Sequence, residues 1–362
     1  MNLPVASIRD VNIHGDDLIV ATHGRSFWIL DNITPLRQIH PRIQNADVWL
    51  FQPATAIRVD NDSFLGSPLP PEEPTAKNPP DGAAIDYYLK SPAKEVKLEI
   101  FDANNKLVRR FSSGQKQEEQ HPPLAIAARW LPKPVALENA AGMHRFLWDL
   151  RWNSSGTDES EEDEGFGAPR GPRITPGTYE LKLTVDGKSL TQYLKITMDP
   201  RSPASKAQLD EQERLGLEIF GEVRQARRTL AEIGAVKRRL ADVKQKLAGK
   251  NPELLTQVTN LETVIATIEK GSKAPIATMG LEVASTGLAS VLRVVEGGDR
   301  TVPSQAIELH HQSNEAAEAG MAGWKKLKST ELVQLNDALQ RAGVAPLQIS
   351  QIEHEAEYLM SE

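Results

Sequence analysis

The feature that most narrows what this chain can fold into is a change of hydrophobic period at Asp199-Pro200. Before it, apolar residues alternate with polar ones: Ile85, Tyr87 and Leu89; Val96, Leu98 and Ile100; Tyr179, Leu181, Leu183 and Val185; Leu194, Ile196 and Met198. Period two with one polar face is the pattern of half-buried strands. After it, Ile219, Val223, Ala226, Leu230, Ile233, Val236, Leu240, Val243 and Leu247 recur by threes and fours, which predicts one long amphipathic helix. The chain is therefore read as a β region followed by an α region, two cores and not one.

Turn chemistry sets finer boundaries. Residues 1–52 open with three short strands, broken at Gly15-Asp16 and His23-Gly24, a β-meander whose next element is not evident. Three strands offer a face to bury and nothing obvious to bury it on, so the meander is expected to belong to a larger sheet, such as a β-propeller blade. Residues 53–82 are rich in proline and read as a linker. Residues 83–200 hold about seven short strands, with Asp186-Gly187 as a hairpin turn and Trp148 central, the pattern of an Ig-like antiparallel β-sandwich. Residues 201–362 form an antiparallel α-helical bundle. Its first helix is expected to begin at Ser202-Pro203 and stop at Gly249 and Asn251-Pro252, with further helices over 254–268, 281–295, 304–327 and 332–339.

Composition excludes some chemistries. No cysteine occurs in the 362 residues, which removes disulfides, thiol catalysis and cysteine zinc sites. A net charge of −7 gives no global attraction to nucleic acid or an anionic surface. No run of about 18 apolar residues predicts a membrane span, and residues 1–30 lack the basic-then-apolar order of an export signal.

The reactive-looking sets read as structure. His23, Ser26 and Asp31 are the residue types of a nucleophile triad, but Ser26 runs straight into the strand at Phe27-Trp28 and not into a helix. Gly24 is expected to supply a positive φ in a turn. Asp158-Glu159-Ser160-Glu161-Glu162-Asp163-Glu164 lacks the spaced offsets of a calcium loop, and in Asp60-Asn61-Asp62 the series is broken by Phe64. Arg224, Arg227, Arg228, Lys237, Arg238, Arg239, Lys244 and Lys246 line the long helix without interleaved aromatics, so a solvated face is expected there and no nucleic-acid partner. His310, His311 and the pair His354-Glu355 lack a second ligand at a metal-binding interval. No catalytic, cofactor-binding or metal residue is assigned, and no cofactor.

The string IVATHGRSFWILDNITPLRQI, residues 19–39, resembles the end of the propeller in large bacterial sortilin-like, BNR-repeat, glycosyl-hydrolase-like proteins. ALENAAGMHRFLWDLRW and ITPGTYELKLTVDGK resemble the Ig-like modules that follow it there and, more distantly, those of flagellar hook-capping proteins and secretion-sorting tails, and QLNDALQRAG resembles the helical tail. The resemblance implies a terminal propeller-blade remnant. It also implies a C-terminal piece of a longer protein, an extracellular or periplasmic location, and an adjoining propeller, in the same or a separate chain, covering residues 8–30, with a protein or glycan as further ligand. The family's Asp-box motifs and catalytic carboxylates would lie upstream of Met1, so no catalytic residue carries over. The expected role is a non-catalytic accessory region. The alternative is the C-terminal part of a glycoside hydrolase acting on polysaccharide. Phe27 and Trp28 point to opposite faces of one strand, so the meander alone cannot bury both.

Overall fold

A computed structural model describes residues 3, 5–59, 81–114, 136–153, 171–273 and 277–347. The chain has mixed α and β structure, with several mainly antiparallel sheets followed by a C-terminal helical region. It divides into two compact units, residues 1–153 with 174–203, and residues 154–173 with 204–362.

Among the described residues the first unit contains three sheets. Strands β1 (Ile8–His14), β2 (Asp17–Thr22) and β3 (Phe27–Leu30) form an antiparallel meander in the order β1-β2-β3. Short helices α1 (Thr34–Arg37) and α2 (Pro41–Asn45) follow, then β4 (Val48–Leu50) and β5 (Ala56–Arg58). The remaining strands are β6 (Ala83–Leu89), β7 (Val96–Phe101), β8 (Leu107–Ser112), β9 (Gly142–Trp148), β10 (Gly177–Val185) and β11 (Lys188–Met198). They pair as a five-stranded sheet β5-β11-β10-β7-β8 and a three-stranded sheet β4-β6-β9.

The alternation read from sequence is the core of these two sheets. Leu181, Leu183 and Val185 stand directly opposite Ile100, Leu98 and Val96, and all six are buried. Ile85 is likewise opposite Phe146, and Ala83 opposite Trp148, on the second sheet. Aromatic rings join the sheets: Phe111 lies 4.5 Å from Phe146 and Trp148 lies 5.7 Å from Tyr179, centroid to centroid. Trp148 is fully buried and its Nε1 donates to the Arg151 carbonyl at 3.1 Å, so the indole enters the core without an orphaned donor. At the hairpin between β10 and β11, Asp186 and Gly187 both take positive φ (46° and 86°), the conformation a two-residue primed turn requires. The Asp186 carboxylate also accepts from the Lys94 and Glu95 amides, at 3.0 and 2.9 Å, tying that turn to the entry of β7.

Two boundaries differ from the sequence reading. The span read as linker from residue 53 contains β5, which pairs in parallel with β11 through Ala56↔Ile196 and Arg58↔Met198. The sheets also begin before residue 83, since β4 pairs with β6 through Leu50↔Tyr87. Neither short strand carries enough alternation to be seen locally, because each owes its existence to a partner distant in sequence. The rest of the Pro-rich stretch, residues 60–80, and the acidic run at 158–164 lie outside the described residues.

In the second unit, α3 (Lys206–Leu247) runs for 42 residues, followed by α4 (Pro252–Lys270). A two-residue strand pair, β12 (Gly271–Ser272) with β13 (Thr278–Met279), leads to α5 (Leu281–Glu296), α6 (Ser304–Ser329) and α7 (Glu331–Arg341). The start of α3 is a correction. Ser205, not Ser202, is the N-cap, and Ser205 and Gln208 form a reciprocal capping box. Asn251 does not merely end α3; its side chain caps α4, with Pro252 in the first turn. The threes-and-fours stripe of α3 is buried from Ile219 to Leu247, apart from Leu230, which is half-buried, and packs with α4, α5 and α6.

Polar groups are built into that packing. The buried Glu232 carboxylate accepts from Trp324 Nε1 at 2.9 Å and Lys328 Nζ at 2.6 Å, both on α6, and pairs with Arg228 of its own helix at 3.9 Å, so a charged group joins α3 to α6. Glu222 meets the buried His310 ring at 2.7 Å, and burial pushes the Glu222 carboxyl up from its ordinary range. No helix among the described residues is long and apolar enough to cross a membrane.

Two outcomes follow for stability. Trp148→Ala removes the largest fully buried side chain of the first unit and is expected to cost about 3–5 kcal/mol, read by chemical denaturation. Ser205→Ala is expected to cost about 1 kcal/mol, whereas Ser202→Ala leaves the helix unchanged.

Candidate interaction surface

The meander's register decides what it exposes. Val11, Val20 and Trp28 stand in one cross-strand row, and Ile13, Leu18 and Leu30 in the next. Directly opposite residues project to the same side of a sheet, and residues two apart on a strand share that side. One face therefore carries Val11, Ile13, Leu18, Val20, Trp28 and Leu30, an apolar patch without a charge. The other carries Asp10, Asn12, His14 and Asp17 beside Ile19, Ala21, Phe27 and Ile29.

Neither face is covered by the described residues. Val11 is 56% exposed and Ile13 55% on the apolar side, and Phe27 is 75% exposed on the other. Trp28 is half-buried, and its Nε1 donates to the Arg25 carbonyl at 2.8 Å. An uncharged row of β-branched and aromatic side chains left to water is the mark of a surface that awaits a second layer.

The patch is held in place by charge. Arg145 on β9 donates from Nε to Asp86 Oδ1 on β6 at 2.8 Å, from Nη1 to the Asp31 carbonyl at 2.9 Å and from Nη2 to the Asn32 carbonyl at 2.7 Å. One guanidinium thus fastens the chain leaving β3 to the three-stranded sheet. Asp17 accepts from the Asn32 amide at 2.9 Å, and Arg37 pairs with Asp16 at 2.8 Å, so the exit is also tied to the β1–β2 turn. Asp86 is 4% exposed; burial raises its pKa, and the hydrogen bond and charge of Arg145 oppose the rise without cancelling it.

The residues singled out in sequence fall as follows. Gly24 has φ +73°, as its turn role requires, and Ser26 also sits at positive φ (62°). The Ser26 carbonyl accepts from the Thr22 amide and hydroxyl, at 3.2 and 2.7 Å, while the His23 amide donates to Ser7 at 2.9 Å. The side chains of His23, Ser26 and Asp31 share no hydrogen bond among the described residues; His23 and Ser26 lie in the turn of the β2–β3 hairpin and Asp31 just beyond β3. Along α3, Lys237 and Lys244 pair with Glu269 and Glu262 of α4, each at 2.7 Å, and burial lowers the pKa of Arg224 and Arg227. His310 is buried and His311 exposed, and no group of three or more His, Asp and Glu suited to a metal ion occurs among the described residues. His354 and Glu355, and Asp60 to Phe64, lie outside the described residues.

Arg145 was not legible as an anchor. It occupies an ordinary polar position of an alternating strand, and its partners Asp31 and Asn32 are more than a hundred residues away in sequence.

No family model matches the chain, and no curated protein matches it. Among solved structures it is similar to FlgD from P. aeruginosa, with 22% identity and a TM-score of 0.17. The likeness covers 31% of this chain and 58% of that one, so the chain spans less than two thirds of its length, and at that score it carries no argument about fold or function.

Arg145→Ala strands a buried carboxylate and frees the exit of the meander. It is expected to destabilise the first unit by about 2–4 kcal/mol, measured by denaturant titration. Asp86 also gives a pH signature. With a folded pKa above the ordinary 3.8, its contribution is fully present below that value and is lost as pH rises through the folded pKa. The stability difference between wild type and Asp86→Asn should therefore shift against wild type as pH climbs from about 4, and a flat difference would contradict the burial assignment.

Proposed function

We propose that this chain is a non-catalytic accessory and interaction region that buttresses or presents an adjoining sortilin-like β-propeller. In this reading β1–β3 are the remnant of a terminal propeller blade, β4–β11 form an Ig-like sandwich and α3–α7 an antiparallel helical bundle. The propeller, on the same or a separate chain, lies over residues 8–30. The observation that carries the proposal is the uncovered apolar face of Val11, Ile13, Leu18, Val20, Trp28 and Leu30, on a meander whose exit is bonded by Arg145. Covering it removes apolar surface from water at roughly 25 cal/mol per Å².

Further support comes from Tyr179, whose hydroxyl donates to the Thr175 carbonyl four residues upstream at 2.7 Å. Tyrosines that bond back to nearby upstream backbone mark the strand corners of Ig-like sandwiches. The extracellular or periplasmic location rests on the same family resemblance as the propeller.

The first test is the intact mass of the native protein from its source, set against 39.9 kDa for this chain. A larger chain carrying a propeller, or a propeller that co-purifies, supports the reading. The sharper test is substitution on the face. Val11→Lys and Ile13→Lys are expected to change the chain's own stability by less than about 0.5 kcal/mol, because the side chains are exposed, yet to abolish association with the propeller. Specific hydrolysis of a polysaccharide by this chain, lost in His23→Ala or Ser26→Ala, would sink the proposal.

A further inference from the structure

The two outer edges of the meander are not equivalent, and the difference follows from its hydrogen-bond phase. The Thr22 amide donates to the Ser26 carbonyl, so in the register of β2 with β3 the alternating pairs Val20↔Trp28 and Leu18↔Leu30 exchange hydrogen bonds. Ala21↔Phe27 and Ile19↔Ile29 then do not, and the amides and carbonyls of Phe27 and Ile29 point away from β2 to the open edge. The same phase turns the amides of Val11 and Ile13 outward on β1, opposite Val20 and Leu18.

β1 is defended. Its register shifts between Ile8 and Asp10, and the Asp10 carboxylate accepts from the outward Val11 amide at 2.9 Å. A bulge and an inserted charge are standard means of preventing strand addition. β3 has neither: its sequence is Phe27-Trp28-Ile29-Leu30, without charge, proline or bulge, and its Cα register with β2 is continuous.

We propose that the open edge of β3 pairs with β3 of a second copy of this chain, antiparallel and about a two-fold axis at Trp28. This rests on the reading above only in that both take the meander as an incomplete sheet; here the completing element is the chain itself when no propeller covers it. The axis is fixed by the outward groups. Centred on Trp28, Phe27 exchanges hydrogen bonds with the second copy's Ile29, and Ile29 with the second copy's Phe27, so every outward group of Phe27 and Ile29 is satisfied. A register centred on Ile29 would instead bring Phe27 opposite Asp31, whose carbonyl Arg145 already occupies. With the axis at Trp28, the two indoles face each other across a non-hydrogen-bonded pair, where side chains approach most closely. The row Val11–Val20–Trp28 then continues unbroken into the same row of the second copy.

The absence of cysteine makes the test clean, since any single introduced thiol reports only its own position. Non-hydrogen-bonded antiparallel pairs place Cα atoms about 4.5 Å apart, within disulfide range. Under mild oxidation, Trp28→Cys is expected to form disulfide-linked dimer at least about tenfold faster than Val11→Cys, which lies on the same face two strands away. In the otherwise unaltered chain, sedimentation is expected to show a monomer–dimer equilibrium that Ile29→Pro removes. That substitution deletes an outward amide and leaves the β2 ladder intact, so the thermal unfolding of the variant should match the parent. Equal cross-linking at both positions, a monomer at every concentration, or a dimer that survives Ile29→Pro would overturn the pairing. None of these results touches the propeller proposal, which is read from association with the propeller and not from self-association.

Discussion

One guanidinium organises the first unit. Arg145 is the point where a buried carboxylate, a sheet strand and the backbone leaving the meander meet. The arrangement answers two needs at once. Asp86 is buried and requires a cation, and the chain between β3 and α1 presents carbonyls that no strand pairs. Without Arg145 the carboxylate would be uncompensated, and the contacts of Asp16, Asp17 and Arg37 would tie the β1–β2 turn only to the meander's own exit segment. The clamp explains how an apolar sheet with neither face covered can still hold a defined position.

The helical unit uses buried charge in a comparable way, but to fix register between helices. An apolar stripe alone lets helices slide by a turn with little penalty, since one leucine replaces another in the groove. Glu232, receiving both Trp324 and Lys328, and Glu222, receiving His310, can meet their partners in one alignment only. Gly287 adds a steric condition, because a Cβ there would collide with the Ser313 hydroxyl. Small residues and paired charges thus specify what hydrophobic burial only drives.

Local information made some of this legible in sequence. The alternating positions of β6, β7, β10 and β11 and the stripe of α3 are buried almost residue for residue, because amphipathic period is a property of the segment itself. What escaped was non-local. β5 exists through its parallel pairing with β11, and a three-residue stretch after a proline has no signature of that. β8, whose Val108 and Arg109 are both buried in succession, breaks the alternation that would have revealed it. Ser202 looked like a cap because Pro203 follows it, but Ser205 has Gln208 three residues on, and that reciprocal pair decides where the helix starts. For the candidate surface, the apolar residues of the meander were evident from sequence, whereas its anchor was not.

The length of α3 bears on how the protein is made. Its stripe is covered partly by α5 and α6, and the partners of Glu222 and Glu232 on α6 lie 88 to 96 residues further along the chain. At a synthesis rate of about 5–20 residues per second, roughly 5–20 s pass between the emergence of the middle of α3 and that of the residues that shield it. During that interval the part of the seam that α5 and α6 will cover is exposed to water. The protein's yield in the cell should therefore depend on translation speed and on holdase chaperones more than its final stability would suggest.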